Sequence, residues 1–341
     1  MGVSIIVTII AFGIMVMLHE LGHFAMAKKF GVTIHEFSIG MGPLIFKWGK
    51  GETQYSLRLL PLGGYVKLEG EDEESDNPRA FSNISPIKRI CILVAGAAMN
   101  ILLGFVCFVI INNVYPNVQV PVISEIVENS AAEEAGLTAG DEIIRLNNTP
   151  VATQSDVSLF MMGSPEVIEV TYLRDGVKEK VTLSPAMEDG RLLIGFKPSI
   201  KKLSFFETFE FAYYDTRYVV KAVLVSVKML FTGEAKVSDM SGPVGIVQVV
   251  DDTAQVASAY GLLAVIMQIL MLFAMISVNL GVFNLLPFPA LDGGSIIFAF
   301  IELVTRKKLR QEVLGYINLI GLVLILGLGI FVMYSDIMKL L

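Results

Sequence analysis

The chain has 341 residues, of which 54% are hydrophobic and 17% charged, and its mean hydropathy is +0.65. Soluble domains carry about 25% charged residues, so this composition is typical of a membrane protein. The net charge of −7 and the lack of a basic stripe with interleaved aromatic residues argue against a nucleic-acid-binding protein.

The first apolar segment runs from Val3 to Ala27. It is long enough to span a bilayer, which takes about 20 residues. No Lys or Arg precedes it, whereas a signal peptide would begin with basic residues. We therefore interpret this segment as a retained spanning helix.

Near the end of this segment the chain reads His19-Glu20-Leu21-Gly22-His23. On a helix this spacing places two imidazoles on one face, with a carboxylate beside them. Two neutral imidazoles can bind Zn²⁺, and a glutamate can accept a proton from the attacking water. Such groups are costly at membrane depth, so the pattern predicts a metalloprotease with an active site inside the bilayer. The alternative is a chance match in an unrelated helix.

Three later segments are also predicted to span the bilayer, while the apolar run from Ser295 to Val304 is too short and suits a partly buried helix. Lys and Arg cluster after the first span, before the second, and between the third and fourth. By the positive-inside rule those loops are cytoplasmic, so both termini and the long segment after the second span lie outside. The three later spans are Ile90 to Ile111, Leu262 to Leu286 and Val313 to Tyr334.

The segment from about Val120 to Pro198 alternates short strand-like runs with turns, which predicts a small α+β domain. Within it, Ala135 to Asn147 resembles the GLxxGDxIxxIN signature of PDZ domains. A PDZ domain would bind an extended peptide or a trimmed C-terminus by strand addition. The alternative is a spacer or size filter that binds nothing tightly. The predicted strands are Pro121 to Ile126, Glu169 to Leu173 and Lys180 to Leu183, with a turn at Arg174 to Gly176.

The next segment, Leu203 to Phe231, mixes aromatic and aliphatic residues with charged ones. This mixture favours an amphipathic helix that lies at the membrane interface. A fifth spanning helix is the alternative, but it would reverse the charge pattern of the loops.

A third metal ligand is predicted in the last third of the chain, because catalytic zinc sites usually have three protein ligands. Asp292 follows Pro287 and Pro289, which interrupt the third apolar region. Broken helices at this depth line cavities, where a metal ion would offset the cost of the carboxylate. The alternative is an aspartate that caps a helix at the bilayer edge.

Two motifs together, HExGH at His19 to His23 and NxxPxPxLDG at Asn284 to Gly293, resemble those of the site-2 protease family of intramembrane zinc metalloproteases. A PDZ-like domain inserted between the second and third spans resembles the bacterial regulator-of-sigma-E protease branch of this family. Some members of that branch carry two tandem PDZ domains, whereas this sequence has one. Four other segments match that branch. They are Phe37 to Pro43 (its membrane-associated GxG loop), Thr53 to Leu68 (its membrane-dipping β-hairpin), Gly96 to Asn100 (its small-residue second helix) and Ser241 to Ile246 (the segment before its third helix).

The resemblance implies a polytopic α-helical membrane protein with four spanning helices, an inserted extracytoplasmic PDZ domain and a cytoplasm-side, membrane-associated β-hairpin. We expect four regions along the chain. They are 1–115 (first two spans, GxG loop and hairpin), 116–200 (PDZ domain), 201–260 (amphipathic linker) and 261–341 (LDG motif and last two spans).

The resemblance also implies roles for single residues. His19, His23 and Asp292 would bind Zn²⁺, and Glu20 would be the general base. The amide of Asn284 would hold the substrate backbone, or alternatively form a helix–helix hydrogen bond. The remaining residues implied in substrate binding are Gly40, Gly42, Gly63, Gly64 and Tyr65.

The implied substrates are single-spanning membrane proteins that have already been trimmed outside the cell, such as anti-sigma factors, and remnant signal peptides. The implied location is the bacterial inner membrane, with the active site near the cytoplasmic side. Two other classes are open: a PDZ-bearing membrane scaffold without protease activity, and a transporter with a broken-helix ion site. A degraded HExxH motif would favour the scaffold and two repeated halves the transporter, and the sequence has neither.

Overall fold

The computed structural model describes residues 2–71, 73–163, 165–188, 191–236 and 240–340. They form two compact units, one made of Met1–Cys107 with Val223–Leu341 and the other of Phe108–Ala222. The helices are α1 (Gly2–Lys29), α2 (Pro86–Val114), α3 (Ala131–Glu134), α4 (Gln154–Met161), α5 (Phe205–Thr232), α6 (Pro243–Ser258), α7 (Leu262–Asn284), α8 (Asp292–Thr305) and α9 (Gln311–Leu340). The strands are β1 (Ile34–Trp48), β2 (Gln54–Leu68), β3 (Asn117–Ile126), β4 (Glu142–Leu146), β5 (Thr149–Pro150), β6 (Ile168–Arg174), β7 (Val177–Leu183), β8 (Ala186–Glu188), β9 (Arg191–Leu193) and β10 (Phe196–Lys202).

Four helices in the described part of the chain are long and apolar enough to cross a membrane, and these are α1, α2, α7 and α9. They confirm the four predicted spans as candidate membrane helices, although α7 ends at Asn284, two residues before the predicted end of the third span. Helix α2 begins earlier than predicted, at Pro86, because proline suits the first turn of a helix. Helix α8, with 14 residues, is too short to cross. Helix α5 is not among the four, and charged side chains are distributed along it.

The β1–β2 sheet corrects one prediction. The resemblance predicts both strands of a β-hairpin within Thr53 to Leu68, but this segment forms only β2. Its partner β1 precedes it in the chain, and each strand has 15 residues. The predicted GxG loop lies inside β1. Ile39 of β1 pairs with Gly64 on one side and with Leu57 on the other, so both strands double back. Gly40 and Gly42, with φ of +83° and +82°, let the strand bend without ending, whereas the family resemblance predicts a loop here.

Helix α1 packs closely against β2 because glycines remove side chains on both elements. A Cβ atom on Gly13 of α1 would overlap the carbonyl of Pro61, and one on Gly63 of β2 would overlap the Val16 side chain. Gly63 also has a φ of +93°, which favours glycine. This close approach fixes the height of β2 along α1.

Helices α1, α2 and α7 also meet through small residues. A Cβ on Gly22 of α1 would overlap the Ala95 carbonyl of α2, and one on Gly104 of α2 would overlap Val278 of α7. Small residues at such contacts let backbones approach closely, as in other membrane helix pairs. The Ser277 hydroxyl of α7 donates to the carbonyl of Asn100 at 2.8 Å, which adds a polar contact between α2 and α7.

Two buried acidic side chains connect the helices of this unit. Glu302 of α8 forms an ion pair with Arg89 of α2, and both are less than 10% exposed. Asp336 of α9 accepts hydrogen bonds from the backbone N–H groups of Gly242 and Gly245, at 2.9 and 2.8 Å. These N–H groups lie at the start of α6, which has 16 residues. The sequence predicts only an amphipathic linker over 201–260 and does not indicate this separate helix.

The second unit contains a six-stranded sheet with the order β10-β3-β4-β6-β7, in which β5 pairs with β4. Strands β3, β6 and β7 contain the three predicted strands, and Asp175 and Gly176 form the predicted turn with positive φ. The core is made of apolar side chains from the strands and α4, such as Ile143, Leu146 and Val170. Asp141 of the PDZ-like signature is 1% exposed and accepts hydrogen bonds from Arg174.

Candidate metal centre

The last third of α1 presents His19 and His23 on one face, as their four-residue spacing requires. Both imidazoles are buried, and their Nε2 atoms lie 3.0 Å apart. Two ring nitrogens at this distance can bind one metal ion. Glycines at positions 22 and 96 allow α1 and α2 to approach each other here, since a Cβ on Gly96 would overlap the His23 imidazole.

Asp292 reaches the same point from the far end of the chain. Its Oδ2 atom lies 3.2 Å from Nε2 of His19 and 3.4 Å from Nε2 of His23. Asn284 would lie about two turns before Asp292 if the segment stayed helical. It does not, because α7 ends at Asn284 and α8 begins at Asp292, with Pro287 and Pro289 between them.

The three side chains fit a zinc ion. Ligands at about 2.0–2.2 Å from a tetrahedral zinc ion lie about 3.3–3.6 Å from one another, close to the observed separations of 3.0, 3.2 and 3.4 Å. Among the described residues, His19, His23 and Asp292 form the one group of this kind. Oδ2 of Asp292 is buried without a hydrogen-bond partner, which is costly unless a cation occupies the space beside it.

The imidazole of His23 is oriented by a neighbouring helix. Its Nδ1 atom lies 2.9 Å from the carbonyl oxygen of Ile92 in α2. A carbonyl can only accept, so Nδ1 carries the proton and Nε2 keeps its lone pair for a metal. Sequence reasoning missed the contribution of Ile92, because a backbone carbonyl has no sequence signal.

Glu20 lies beside the two histidines, and its carboxylate is hydrogen-bonded to strand β2. Its Oε2 atom accepts a hydrogen bond from the backbone N–H of Val66 at 3.0 Å. Val66 lies in the final stretch of β2, which pairs with Phe37 on its other side. The carboxylate is therefore held between the two histidines and the outer edge of the β1–β2 sheet.

The Asn284 amide borders the site. Its Nδ2 atom lies 3.4 Å from both ring nitrogens of His19, which is long for a hydrogen bond. The amide thus contacts the imidazole without being fully engaged by it.

The segment between α7 and α8 is held tightly in place. Side chains at Gly293 and Gly294 would overlap the carbonyls of Leu286 and Phe288, so only glycine fits there. The backbone N–H of Ala290 donates to Oδ1 of Asn318 in α9 at 3.3 Å. These contacts set the start of α8 and hence the position of its first residue, Asp292.

A polar cavity of about 400 Å³ reaches Asp292. Its lining includes Arg89, Ser295, Gln311 and Asn318, contributed by α2, α8 and α9. A cavity with such polar walls can hold water close to the three candidate ligands.

The other residues predicted for substrate binding lie in the β1–β2 sheet. Gly40 and Gly63 line a small cavity between this sheet and α1. Gly64 pairs with Ile39, and a side chain at Gly42 would meet that of Leu60. The Tyr65 ring stacks beneath the Arg58 guanidinium, 5.4 Å from the ring centroid, so this side chain contacts its own sheet. Gly63, Gly64 and Tyr65 directly precede Val66 in β2, the strand that contacts Glu20.

The chain is similar to known proteins over most of its length. Residues 7–328 match the model described as peptidase family M50. A candidate zinc metalloprotease of Clostridium acetobutylicum is 39% identical over 98% of this chain and 97% of its own length. The regulator of sigma-W protease RasP of Bacillus subtilis and the zinc metalloprotease RasP of Bacillus licheniformis are each 28% identical over 99% of both chains.

The family match covers nearly the whole chain, including the HExGH and LDG motifs. The resemblance to site-2 proteases is therefore confirmed, together with its implications of protease activity, zinc as cofactor and a membrane location. The chain belongs to peptidase family M50, the site-2 protease family, and is a membrane zinc metalloprotease.

Proposed function

We propose that this protease hydrolyses peptide bonds within or beside the transmembrane segments of its substrates, with zinc held by His19, His23 and Asp292. The observation that carries the proposal is the convergence of these three side chains, from α1 and α8, to within 3.4 Å of one another inside a bundle of apolar helices. When bound there, zinc polarises the scissile carbonyl and stabilises the negative charge that develops on its oxygen.

Glu20 is the general base in this proposal. Its carboxylate accepts a proton from the water that attacks the carbonyl carbon. The same carboxylic acid then donates that proton to the leaving nitrogen, so that a carboxylate and an amine are formed as the C–N bond breaks. Support comes from its place beside both histidines and from the polar cavity that reaches Asp292 and can supply water.

The substrate lies extended along the outer edge of β2. A helical segment hides its carbonyls in its own hydrogen bonds and must unwind before attack. The N–H of Val66 points away from β1 toward Glu20, so a strand added at this edge would place its backbone beside the metal ligands. The Asn284 amide, which is only loosely engaged by His19, holds a carbonyl or N–H of the substrate on the other side.

The α+β unit is a PDZ domain that receives an extended peptide or a trimmed C-terminus. Among the described residues, β10 is an edge strand of the six-stranded sheet, so a peptide strand can add beside it. By the positive-inside rule this domain and both termini lie outside the cell, while the basic loops, the β1–β2 sheet and the metal centre face the cytoplasmic side.

The physiological substrates are single-spanning membrane proteins that another protease has already shortened outside the cell. Anti-sigma factors are the proposed class, because a relative 28% identical over 99% of the chain is named a regulator of sigma-W protease. Remnant signal peptides have the same character and form a second set of candidates.

Replacement of Glu20 by glutamine tests the proposal. The variant should retain zinc at the wild-type stoichiometry and lose cleavage of a tagged single-spanning substrate by at least about 100-fold, because the amide cannot accept the proton. A scaffold without protease activity would show no cleavage in either form. Wild-type cleavage that persists in Glu20→Gln would overturn the assigned base, and membrane proteins that accumulate as stubs in cells with this variant would identify substrates.

A further inference from the structure

A second, apolar cavity of about 180 Å³ lies between α1 and the β1–β2 sheet. None of the three candidate zinc ligands lines it. Its walls are formed by Ile10, Ile14 and Met17 of α1 and by Ile39 and Leu57 of the sheet. Two of the glycines implied in substrate binding also line it, but no part of a substrate has been assigned to it.

The cavity shares one face of α1 and strand β2 with the candidate active site. Ile10, Ile14, Met17 and Glu20 recur at intervals of three or four residues and therefore share one face of α1. At about 1.5 Å per residue, the lining residues of α1 lie about 5–15 Å from Glu20 along the helix. On the other wall, β2 passes from the cavity directly to Val66, whose N–H bonds Glu20. One helix face and one strand thus frame both the base and the cavity.

The size and lining of the cavity define what it can hold. An apolar cavity of about 150 Å³ is large enough for a benzene molecule, so this one accommodates a phenyl ring or a branched aliphatic side chain. Its one charged lining residue is Arg58. Its charge is paired with Glu36, whose Oε1 accepts from Nη2, and Nη1 donates to the carbonyl of Gly42, both at 2.9 Å. The space therefore suits an uncharged, bulky apolar group.

We propose that this cavity is a side-chain subsite that takes one bulky apolar residue of the substrate, such as Phe, Leu or Ile. The inference rests on the proposed function, in which an extended substrate lies along β2. An extended chain advances about 3.3 Å per residue, so the recognised residue lies about one to four positions from the scissile bond. The subsite selects among apolar segments, which otherwise differ little in chemistry.

The test uses full-length, zinc-loaded enzyme in detergent and single-spanning substrates with either Phe or Ala at each of four positions on both sides of the mapped cleavage point. Wild type should prefer Phe at one of these positions. Ile14→Phe fills the cavity and should reduce kcat/KM for that Phe substrate by about 10- to 200-fold relative to the matching Ala substrate. Ile14→Ala should instead shift the preference toward Trp at the same position.

Ile5→Phe is the matched control. Ile5 lies nine residues from Ile14, which is half a turn out of phase, so it occupies the opposite face of α1, and the two side chains are 44% and 40% exposed. This variant should leave the Phe-to-Ala preference unchanged. Equal losses on both substrates in Ile14→Phe, no loss on either, or the same selective loss in Ile5→Phe would overturn the subsite.

Crosslinking separates failure of the subsite from failure of the proposed function. A photoreactive phenylalanine analogue at position 14, in the Glu20→Gln background, should crosslink the Phe substrate at least several-fold more than the Ala substrate, while the analogue at position 5 should not discriminate. Selective crosslinking without any wild-type cleavage would contradict the proposed function alone. Cleavage by wild type without selective crosslinking at position 14 would contradict the subsite alone.

Discussion

The Glu20 carboxylate accepts a hydrogen bond from the backbone N–H of Val66, with 3.0 Å between Oε2 and N. This contact joins the HExxH helix to the edge strand of the β1–β2 sheet, two elements separated by 46 positions in sequence. It aligns the edge at which an extended substrate would be added with the carboxylate that we propose as the base. Hydrogen bonds to a charged group contribute about 1.5–3 kcal/mol, so the contact also stabilises the sheet against α1.

Val66→Pro should therefore reduce cleavage by about 10- to 100-fold without removing zinc, because proline has no N–H to align Glu20. Val66→Ala is the matched control, since it loses the side chain and keeps the N–H. Steady-state cleavage and zinc content should be measured on both purified variants. Equal activity of the two would contradict a role for this N–H.

Gly96→Ala should lower both zinc content and activity. A methyl group at this position would overlap the His23 imidazole and lie 2.9 Å from Cε1 of His19, so that both rings must move. Gly315→Ala in α9 is the control, because a Cβ there meets nothing within 4 Å. Metal analysis should show less than half of the wild-type zinc in Gly96→Ala and wild-type zinc in the control. Full zinc occupancy in Gly96→Ala would mean that the imidazoles tolerate the displacement.

Asp292→Asn should bind zinc far more weakly, because a neutral amide replaces the charged oxygen that lies 3.2 Å from His19. After chelation and re-addition of zinc, wild type should regain activity, while the variant should stay at least about 100-fold below it. Asp336→Asn tests another buried aspartate, which bonds the backbone at Gly242 and Gly245 instead. It should destabilise the fold and still retain zinc. Normal zinc affinity in Asp292→Asn would remove this residue from the ligand set.

Glu302→Gln should destabilise the membrane unit by about 3–5 kcal/mol, because it leaves the buried Arg89 without a countercharge. The double variant Arg89→Met with Glu302→Leu should recover part of this loss, since apolar groups of similar volume need no partner, while the N–H of Leu309 loses its acceptor on Glu302. Thermal unfolding in detergent would give the order of stabilities as wild type, double variant and then single variant. A double variant as unstable as Glu302→Gln would contradict this explanation.

The α+β unit should lose stability in acid through Asp141. Burial opposes ionisation of this side chain, but hydrogen bonds from Arg174 and from the N–H of Thr138 outweigh it and hold the pKa of the carboxyl below its usual value. A group with a lowered folded-state pKa stabilises the fold above its ordinary pKa of about 3.9, and this contribution is lost as the pH falls through the folded value.

Hydrogen exchange of this unit in the full-length chain, between about pH 3 and 6, would measure the effect. Opening should become easier as the pH falls below about 4, and Asp141→Asn should flatten that part of the profile while lowering stability at neutral pH. The same steep acid dependence in Asp141→Asn would assign it to other carboxylates.

Local patterns in the sequence predicted most of the helices and three of the residues at the centre. Length and hydropathy identified α1, α2, α7 and α9, because twenty apolar residues in a row have few other stable states. The four-residue spacing of His19 and His23 placed them on one face, because the period of an α-helix does not depend on the rest of the fold. Asp292 was predicted from chemistry, since zinc needs a third ligand and a buried carboxylate needs a cation.

The pairing of β1 with β2 depended on the tertiary structure. The resemblance to the GxG loop predicts a loop at Phe37 to Pro43, but the positive φ angles of Gly40 and Gly42 bend a strand that continues through them, and Ile39 has pairing partners on both sides. Helix α6 was also missed, since it is shorter than a span and its first turn is capped by Asp336, which lies more than ninety positions away.

The sequence by itself determined which groups could take part in catalysis and which segments are apolar enough for a membrane, because residue type and helical period are local properties. Only the tertiary structure decided that Asp292 meets His19 and His23, that the Ile92 carbonyl orients His23, and that Val66 faces Glu20. Each of these contacts joins residues far apart in the chain, and two of them use backbone atoms that every residue carries. Their formation depends on helix and strand packing, which no local pattern encodes.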